Sequence, residues 1–236
     1  MDLFGDALLS FHRGQSDAPL KLTRDDGWED THSPGLYFEP EPFAFERDAL
    51  ALLDGPTLDV GCGAGRHLKW FAAQGLDAHG VDISEGAIQV CRERGLQNVG
   101  VFDVMSGNPP NLSFRPTNIC LFGNNVGIGG SFDGSATLFR NLRRISPECG
   151  HLVLTGLDIR QTDNPRHIAY QENNLAAGRR RGEMKLRVSY EERTGAEFPW
   201  YHPEPHEIEE LAALTGWQVQ RLERCGNFFW SSLRRS

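Results

Sequence analysis

Thr57-Leu-Asp-Val-Gly-Cys-Gly-Ala-Gly65 is an apolar strand that runs straight into a glycine turn. Glycines 61, 63 and 65 lack Cβ atoms, so the chain can bend sharply there and a ligand can lie close against the backbone amides. The turn opens a helix predicted over residues 66–73, whose unsatisfied amides and positive dipole end suit a carboxylate or phosphate. A dinucleotide fingerprint, G-x-G-x-x-G, would need a third glycine where Arg66 stands. The glycines here run G-x-G-x-G instead, and the strand before them carries Asp59. An acid beside the turn repels a pyrophosphate but accepts from an ammonium group.

Two further acids follow at strand ends. Asp82 closes Ala78-His-Gly-Val-Asp82, where it can take two hydrogen bonds from a ribose diol, and Asp103 closes Val99-Gly-Val-Phe-Asp103, where it can accept from an exocyclic adenine amine. Taken singly, each has a plainer reading: the glycines as a tight turn, Asp82 and Asp103 as helix caps or turn formers. Their joint occurrence at three successive strand ends favours a pocket for a nucleoside-bearing cofactor.

On Leu58-Asp-Val-Gly-Cys-Gly-Ala-Gly-Arg-His67, Gly80-Val-Asp-Ile-Ser84 and Phe102-Asp-Val104, the chain resembles the class I S-adenosylmethionine (SAM)-dependent methyltransferases. The resemblance covers about residues 57–156. It implies an α/β, three-layer Rossmann-like sandwich: a seven-stranded, mostly parallel sheet with an antiparallel last hairpin, an N-terminal helical lid, and SAM across the carboxyl ends of the strands. The product would be S-adenosylhomocysteine (SAH). The cofactor contacts it implies are Tyr37, Asp59, Gly61, Cys62, Gly63, Gly65, Asp82, Ile83, Asp103, Val104, Gly123 and Asn124. This family usually has an acid near the start of the fourth strand, and Thr117-Asn118 stands there instead.

Composition narrows the partners. A length of 236 residues fits one domain, divided into a lid segment (1–56), a SAM-binding core (57–156), a substrate-side insertion (157–200) and a closing helix with strands (201–236). The formal charge of -8 argues against nucleic acid as the main partner. Five scattered cysteines suggest reduced thiols in a cytoplasmic protein. No signal peptide or membrane-spanning run is evident, and the oligomeric state stays open.

Outside the core, Leu3 to Phe11 has helical spacing, Asp17 to Pro34 reads as a loop, and Phe43 to Leu53 has helical character. Arg66 and His67 are cations at a helix N-terminus, unfavourable to the dipole, so a compensating acid is expected from Asp59 or a lid residue. After the fourth strand, Asn118 to Phe122, the loop Gly123 to Gly130 puts Asn125 within reach of substrate. The polar insertion includes His167, Tyr170 and Arg179-Arg-Arg181, followed by a half-buried strand, Lys185 to Tyr190. A helix from Glu204 and a hairpin through Gly226-Asn227 close the fold.

Methyl transfer is an in-line displacement in which alignment and removal of water do most of the work. A base is needed only if the acceptor must lose a proton. His167, Tyr170 and His202 are the candidate bases; Asn125, Tyr201 and Arg179 are the candidate substrate contacts. The arginine run reads either as a solvated turn or as a clamp for an anionic substrate. His202 and His206 are separated by prolines and lack companions, which argues against a metal site. The leading expectation is a methyltransferase acting on a small molecule. The rivals are an RNA or protein methyltransferase, a non-catalytic SAM-binding scaffold and, disfavoured by Arg66, a nicotinamide dehydrogenase.

Overall fold

The computed structural model describes residues 1–108, 110, 112 and 115–236. In chain order the elements are α1 (Leu3–His12), β1 (Leu20–Arg24), β2 (Glu29–His32), α2 (Ala44–Leu50), β3 (Thr57–Val60), α3 (Arg66–Ala73), β4 (Ala78–Asp82), α4 (Glu85–Glu93) and β5 (Val99–Val101). Then come β6 (Asn118–Leu121), α5 (Phe132–Ile145), β7 (His151–Leu157), α6 (Pro165–Ala176), β8 (Glu183–Tyr190), β9 (Arg193–Tyr201), α7 (Pro205–Thr215), β10 (Trp217–Cys225) and β11 (Phe228–Arg235).

The main sheet has seven strands in the order β10-β11-β7-β6-β3-β4-β5. Its five central and edge strands from β7 to β5 pair in parallel, while β11 runs antiparallel to both β7 and β10. This is the expected seven-stranded sheet with its antiparallel finishing hairpin. Because successive side chains on a strand point to opposite faces, Leu58 and Val60 of β3 join Ile119, Leu121, Leu152 and Leu154 beneath α5 and α7. On the other face, Cys120, Phe122, Val153 and Trp230 pack against α2, α3 and α4 through Leu50, Phe71, Ile88 and Cys91. Each buried aliphatic or aromatic side chain contributes about 1.5–3 kcal/mol, so the two cores clamp the sheet from both sides.

Asp59 alternates with Leu58 and Val60 and therefore falls on the α3 side. The chain leaves β3 toward β4 and β5, then returns across β3 to β6. That reversal opens a crevice at the carboxyl ends of β3 and β6, the place where open α/β sheets hold ligands.

A second sheet of four strands, β2-β1-β8-β9, is built from two distant parts of the chain. Residues 17–34, expected as a loop, contain β1 and β2, and β1 pairs antiparallel with β8 from Leu20↔Tyr190 to Arg24↔Leu186. Leu20 and Leu22 alternate with polar residues and are strand-like, but their pairing partners lie far away in sequence. The insertion also holds α6, capped by Asn164 with Pro165 at its first turn. The expected strand over 185–190 is β8, and its hairpin partner β9 completes the sheet.

Asp2 fixes α1 to the main domain. Its Oδ1 accepts from Gly5 N (2.9 Å), while Oδ2 accepts from Ser84 Oγ (2.7 Å) and Gly86 N (3.1 Å). One carboxylate thus serves the starts of both α1 and α4.

Candidate cofactor and active site

The crevice floor is the turn after β3. Gly61 has φ +75°, and a Cβ built there would stand 2.4 Å from Asn125 Nδ2. That amide donates to Val60 O (2.9 Å) and Gly61 O (2.8 Å), so Asn125 ties the segment after β6 to the end of β3. Gly63, at φ +53°, is different: the nearest atoms to a built Cβ are Tyr37 Cδ1 at 3.7 Å and Phe4 Cζ at 3.8 Å. Tyr37 and Phe4 meet edge to face at 5.0 Å above this turn. The N-terminal segment therefore roofs the glycine loop.

Asp82 holds the loop's shape. Its Oδ2 accepts from Gly63 N and its Oδ1 from Ser84 N, each at 2.9 Å. Burial raises its pKa, against the pull of those backbone donors, and its charge adds to the burial that raises the Tyr37 phenol. The next residue, Ile83, is 69% exposed, an unusual position for a large apolar side chain and one that presents a flat apolar surface beside Asp82. Asp103 is exposed and caps the short helical turn Val104–Ser106 by accepting from Met105 N (2.8 Å). The Val104 side chain packs in the main core, and Cys62 packs on the opposite face of the sheet.

Asp59 is the polar outlier. It is 1% exposed, and neither carboxylate oxygen has a hydrogen-bond partner. Burial lifts its pKa to about 6 although His67 and Arg66 pull the other way. A buried carboxylate without a donor is costly, and a charged donor arriving in the crevice relieves it.

The acid that compensates Arg66 and His67 is Glu46 of α2, a lid residue. Arg66 makes a fork-to-fork pair with it, Nη1 to Oε2 at 2.7 Å and Nη2 to Oε1 at 2.6 Å, and His67 Nε2 lies 3.1 Å from Oε1. Burial alone would raise the Glu46 pKa, but the bonds from His67 and Arg66 bring it down to about 2. Glu39, Glu41, Glu46 and Asp48 stand close together in the sequence, and only the packing of α2 distinguishes Glu46 among them.

At the end of β6, Gly123 has φ +64° with open space around a built Cβ. Asn124 follows at φ +67°, a left-handed conformation that asparagine tolerates better than most residues, and its buried Oδ1 has no partner. Both positions follow the carboxyl end of β6, beside the end of β3 to which Asn125 is tied.

The candidate bases and substrate contacts fall into separate clusters. His167 Nδ1 lies 3.1 Å from Arg24 Nη1, and Arg24 also grips Asp26 through two bonds and stacks 3.9 Å over the Tyr170 ring. Tyr170 donates to Asp25 Oδ1 at 2.6 Å, and burial together with that bond raises its pKa. Both residues thus tie α6 to the β1–β2 hairpin. Tyr201 donates to buried Glu207 at 2.6 Å. Burial pushes His202 down to about 4, and its Nδ1 is shut off from water without a partner. Of the arginine run, Arg179 is exposed, Arg180 pairs with Glu207 and Glu210, and Arg181 pairs with Glu204. Among the described residues no group of three or more side chains is placed to hold a metal, and no helix is long and apolar enough to cross a membrane.

Residues 57–125, which span the glycine turn, Asp82, Asp103 and Asn125, match the model of the methyltransferase domain family. That match covers the segment from β3 to the turn after β6, and the chain as a whole has the class I methyltransferase fold. Solved methyltransferases share that architecture over nearly the full length. A SAM-dependent methyltransferase from Bacteroides fragilis, crystallised with SAH, superposes with a TM-score of 0.83 at 22% identity, covering 98% of this chain and 94% of that one. The CcbJ methyltransferase of Streptomyces caelestis gives 0.61 at 17%, covering 83% and 97%. CalS10, an amino pentose methyltransferase from Micromonospora echinaspora solved with SAM, gives 0.54 at 17%, covering 85% and 95%. No curated protein sequence matches the chain. In this methyltransferase fold Asn118 takes the place of the usual acid at the start of β6, where its amide donates to Gly55 O and Thr57 Oγ1 at 3.4 Å each.

Proposed function

We propose that the protein transfers the methyl group of SAM to a small-molecule acceptor. The observation that carries this reading is the partnerless, buried carboxylate of Asp59, facing a crevice whose other acid, Asp82, already organises the glycine turn. An ammonium group satisfies Asp59. The free lone pairs of Asp82 suit a ribose diol, Ile83 offers an apolar face for an adenine ring, and exposed Asp103 suits its amine. Gly63 and Gly123 leave room for a ligand to approach the backbone. These residues fit SAM, and Arg66, engaged by Glu46, offers nothing to a pyrophosphate.

When bound, SAM supplies an electrophilic methyl on a sulfonium, passed to the acceptor by in-line displacement. The chain's own part is to orient and to exclude water. Tyr37 and Phe4 cover the glycine turn, and orientation of this kind contributes up to roughly 7–11 kcal/mol.

The acceptor reading rests on the small sheet. Directly opposed pairs place Leu22, Leu186, Val188, Phe198, Met184 and Trp200 on one face. Helix α1 packs on one end of that face through Leu3 and Ala7 beside Leu20, Val188 and Tyr190. At the other end the Trp200 indole packs on Gly127, in the turn that follows Asn124. The half-buried residues between form an apolar wall suited to a compact organic acceptor. The acidic surface adds to the case against a polyanionic one. In that setting burial holds His202 as a neutral imidazole beside Trp200, too weak a base to take a proton near neutral pH, while His167 and Tyr170 serve the hairpin.

Calorimetry with SAM, SAH and NADH tests the cofactor: binding of NADH without SAM overturns the proposal. Turnover of methyl-labelled SAM with fractionated small metabolites, total RNA and protein extract tests the acceptor. Label in RNA or protein alone refutes the small-molecule assignment.

A further inference from the structure

Two buried carboxylates compete for the same two cations at the start of α3. Glu46, 0% exposed, has every acceptor position used: Oε1 receives Arg66 Nη2 and His67 Nε2, while Oε2 receives Arg66 Nη1 and the backbone N–H of Phe43 at 2.9 Å. Asp59 has none used, although His67 Nδ1 lies only 3.9 Å from its Oδ2. The Arg66 guanidinium is also held over the Phe43 ring, its Cζ 4.3 Å from the centroid.

We propose that Glu46 is a positioning residue for the cofactor: it sequesters Arg66 so that Asp59 stays open to the ammonium of the cofactor's amino-acid end. The inference rests on the SAM reading above and extends it to a residue outside the glycine turn. Its physical basis is substitution of one cation for another. A guanidinium released from Glu46 already feels the charge of buried Asp59, and a pair formed there displaces the ligand's ammonium. The N-terminal segment then does more than cover the site, since docking of α2 sets the affinity for one end of the ligand.

The test is calorimetry on Glu46→Gln with two ligands. SAH carries the amino-acid moiety; 5′-methylthioadenosine has the same thionucleoside without it. The expected result is an SAH affinity lowered about ten- to a hundredfold, the range of a lost charged hydrogen bond, with 5′-methylthioadenosine changed less than about twofold. The double variant E46M/R66M, which removes both buried charges together and is therefore the better tolerated change, should bind SAH within about threefold of wild type.

Equal losses for the two ligands in E46Q, or an SAH affinity in E46M/R66M still reduced about tenfold or more, overturn the proposal and leave Glu46 a purely structural residue. Should E46Q fail to fold, the double variant alone decides by the same threshold. Wild type that binds neither ligand refutes the SAM reading itself, an outcome distinct from any of these.

Discussion

Asp59→Asn isolates the electrostatic cost built into the crevice. In the ligand-free protein the carboxyl titrates near 6 in place of 3.8. Each pH unit of displacement is worth about 1.4 kcal/mol, so ionised Asp59 costs the native state about 3 kcal/mol. With only 1% of the residue exposed, water screens little of this. The native state holds the proton more tightly than the unfolded chain, so between pH 3.8 and about 6 it carries more protons and its stability falls as pH rises. The amide of the D59N variant has no such titration. Buried in the same place, it keeps a desolvation cost of about 1 kcal/mol, leaving a net gain of about 2 kcal/mol above pH 6 and none near pH 4.

Urea unfolding of both ligand-free proteins at pH 4.5, 6 and 8 measures the difference, and a melting temperature should rise about 2–4 °C for each kcal/mol recovered. Added SAH should reverse the order at pH 8, because only the carboxylate gains a cation. A stability gap that stays constant from pH 4.5 to 8, or a D59N variant no more stable than wild type at pH 8, refutes the account of Asp59 as an unpartnered buried charge.

The two glycines of the turn should separate stability from binding. Gly61→Ala drives a Cβ into the Asn125 amide and should cost about 2–3 kcal/mol in urea unfolding by breaking two hydrogen bonds at a positive φ. Gly63→Ala meets no closer atom than 3.7 Å, so it should cost only about 1 kcal/mol while weakening SAH at least about tenfold. Asp82→Asn should weaken SAH by about 1–3 kcal/mol; unchanged calorimetric affinity would place the ribose elsewhere. Tyr201→Phe removes the shortest of three donors to buried Glu207, leaving Glu204 N–H and Arg180, and should lower unfolding free energy by about 1.5–3 kcal/mol without altering SAH affinity.

What the sequence made legible was local. An apolar strand, a glycine turn and an acid at the next strand end lie within a few tens of residues, so the parallel units from β3 onward and their acids could be read directly. The small sheet could not, because Leu20 pairs with Tyr190 and neither residue names its partner. The polar, aspartate-rich turn between β1 and β2 masked a short strand pair. α6 carries a local signal in Asn164-Pro165, but it lies in a segment dominated by polar residues. The arginine run shows the same limit: ion pairs to Glu204, Glu207 and Glu210 come from a helix more than twenty residues downstream. Sequence spacing frames a solvated turn and an anion clamp as the alternatives, whereas packing ties Arg180 and Arg181 to α7.

The N-terminal segment joins these observations. Helices α3 and α4 both begin at the crevice, and an acid from the first 46 residues stands at the start of each. Asp2 accepts from Gly86 N of α4, where an anion favours the dipole. Glu46 neutralises Arg66 and His67 on α3, where cations oppose it. Tyr37 and Phe4 lie over Gly63 between the two, and β1 carries the same segment into the small sheet. Undocking this segment would strip both helix starts, uncover the glycine turn and dismantle the small sheet together. Cofactor affinity, exclusion of water and the integrity of the small sheet therefore depend on one stretch of chain, which lies outside the strand-and-glycine pattern that first revealed the fold.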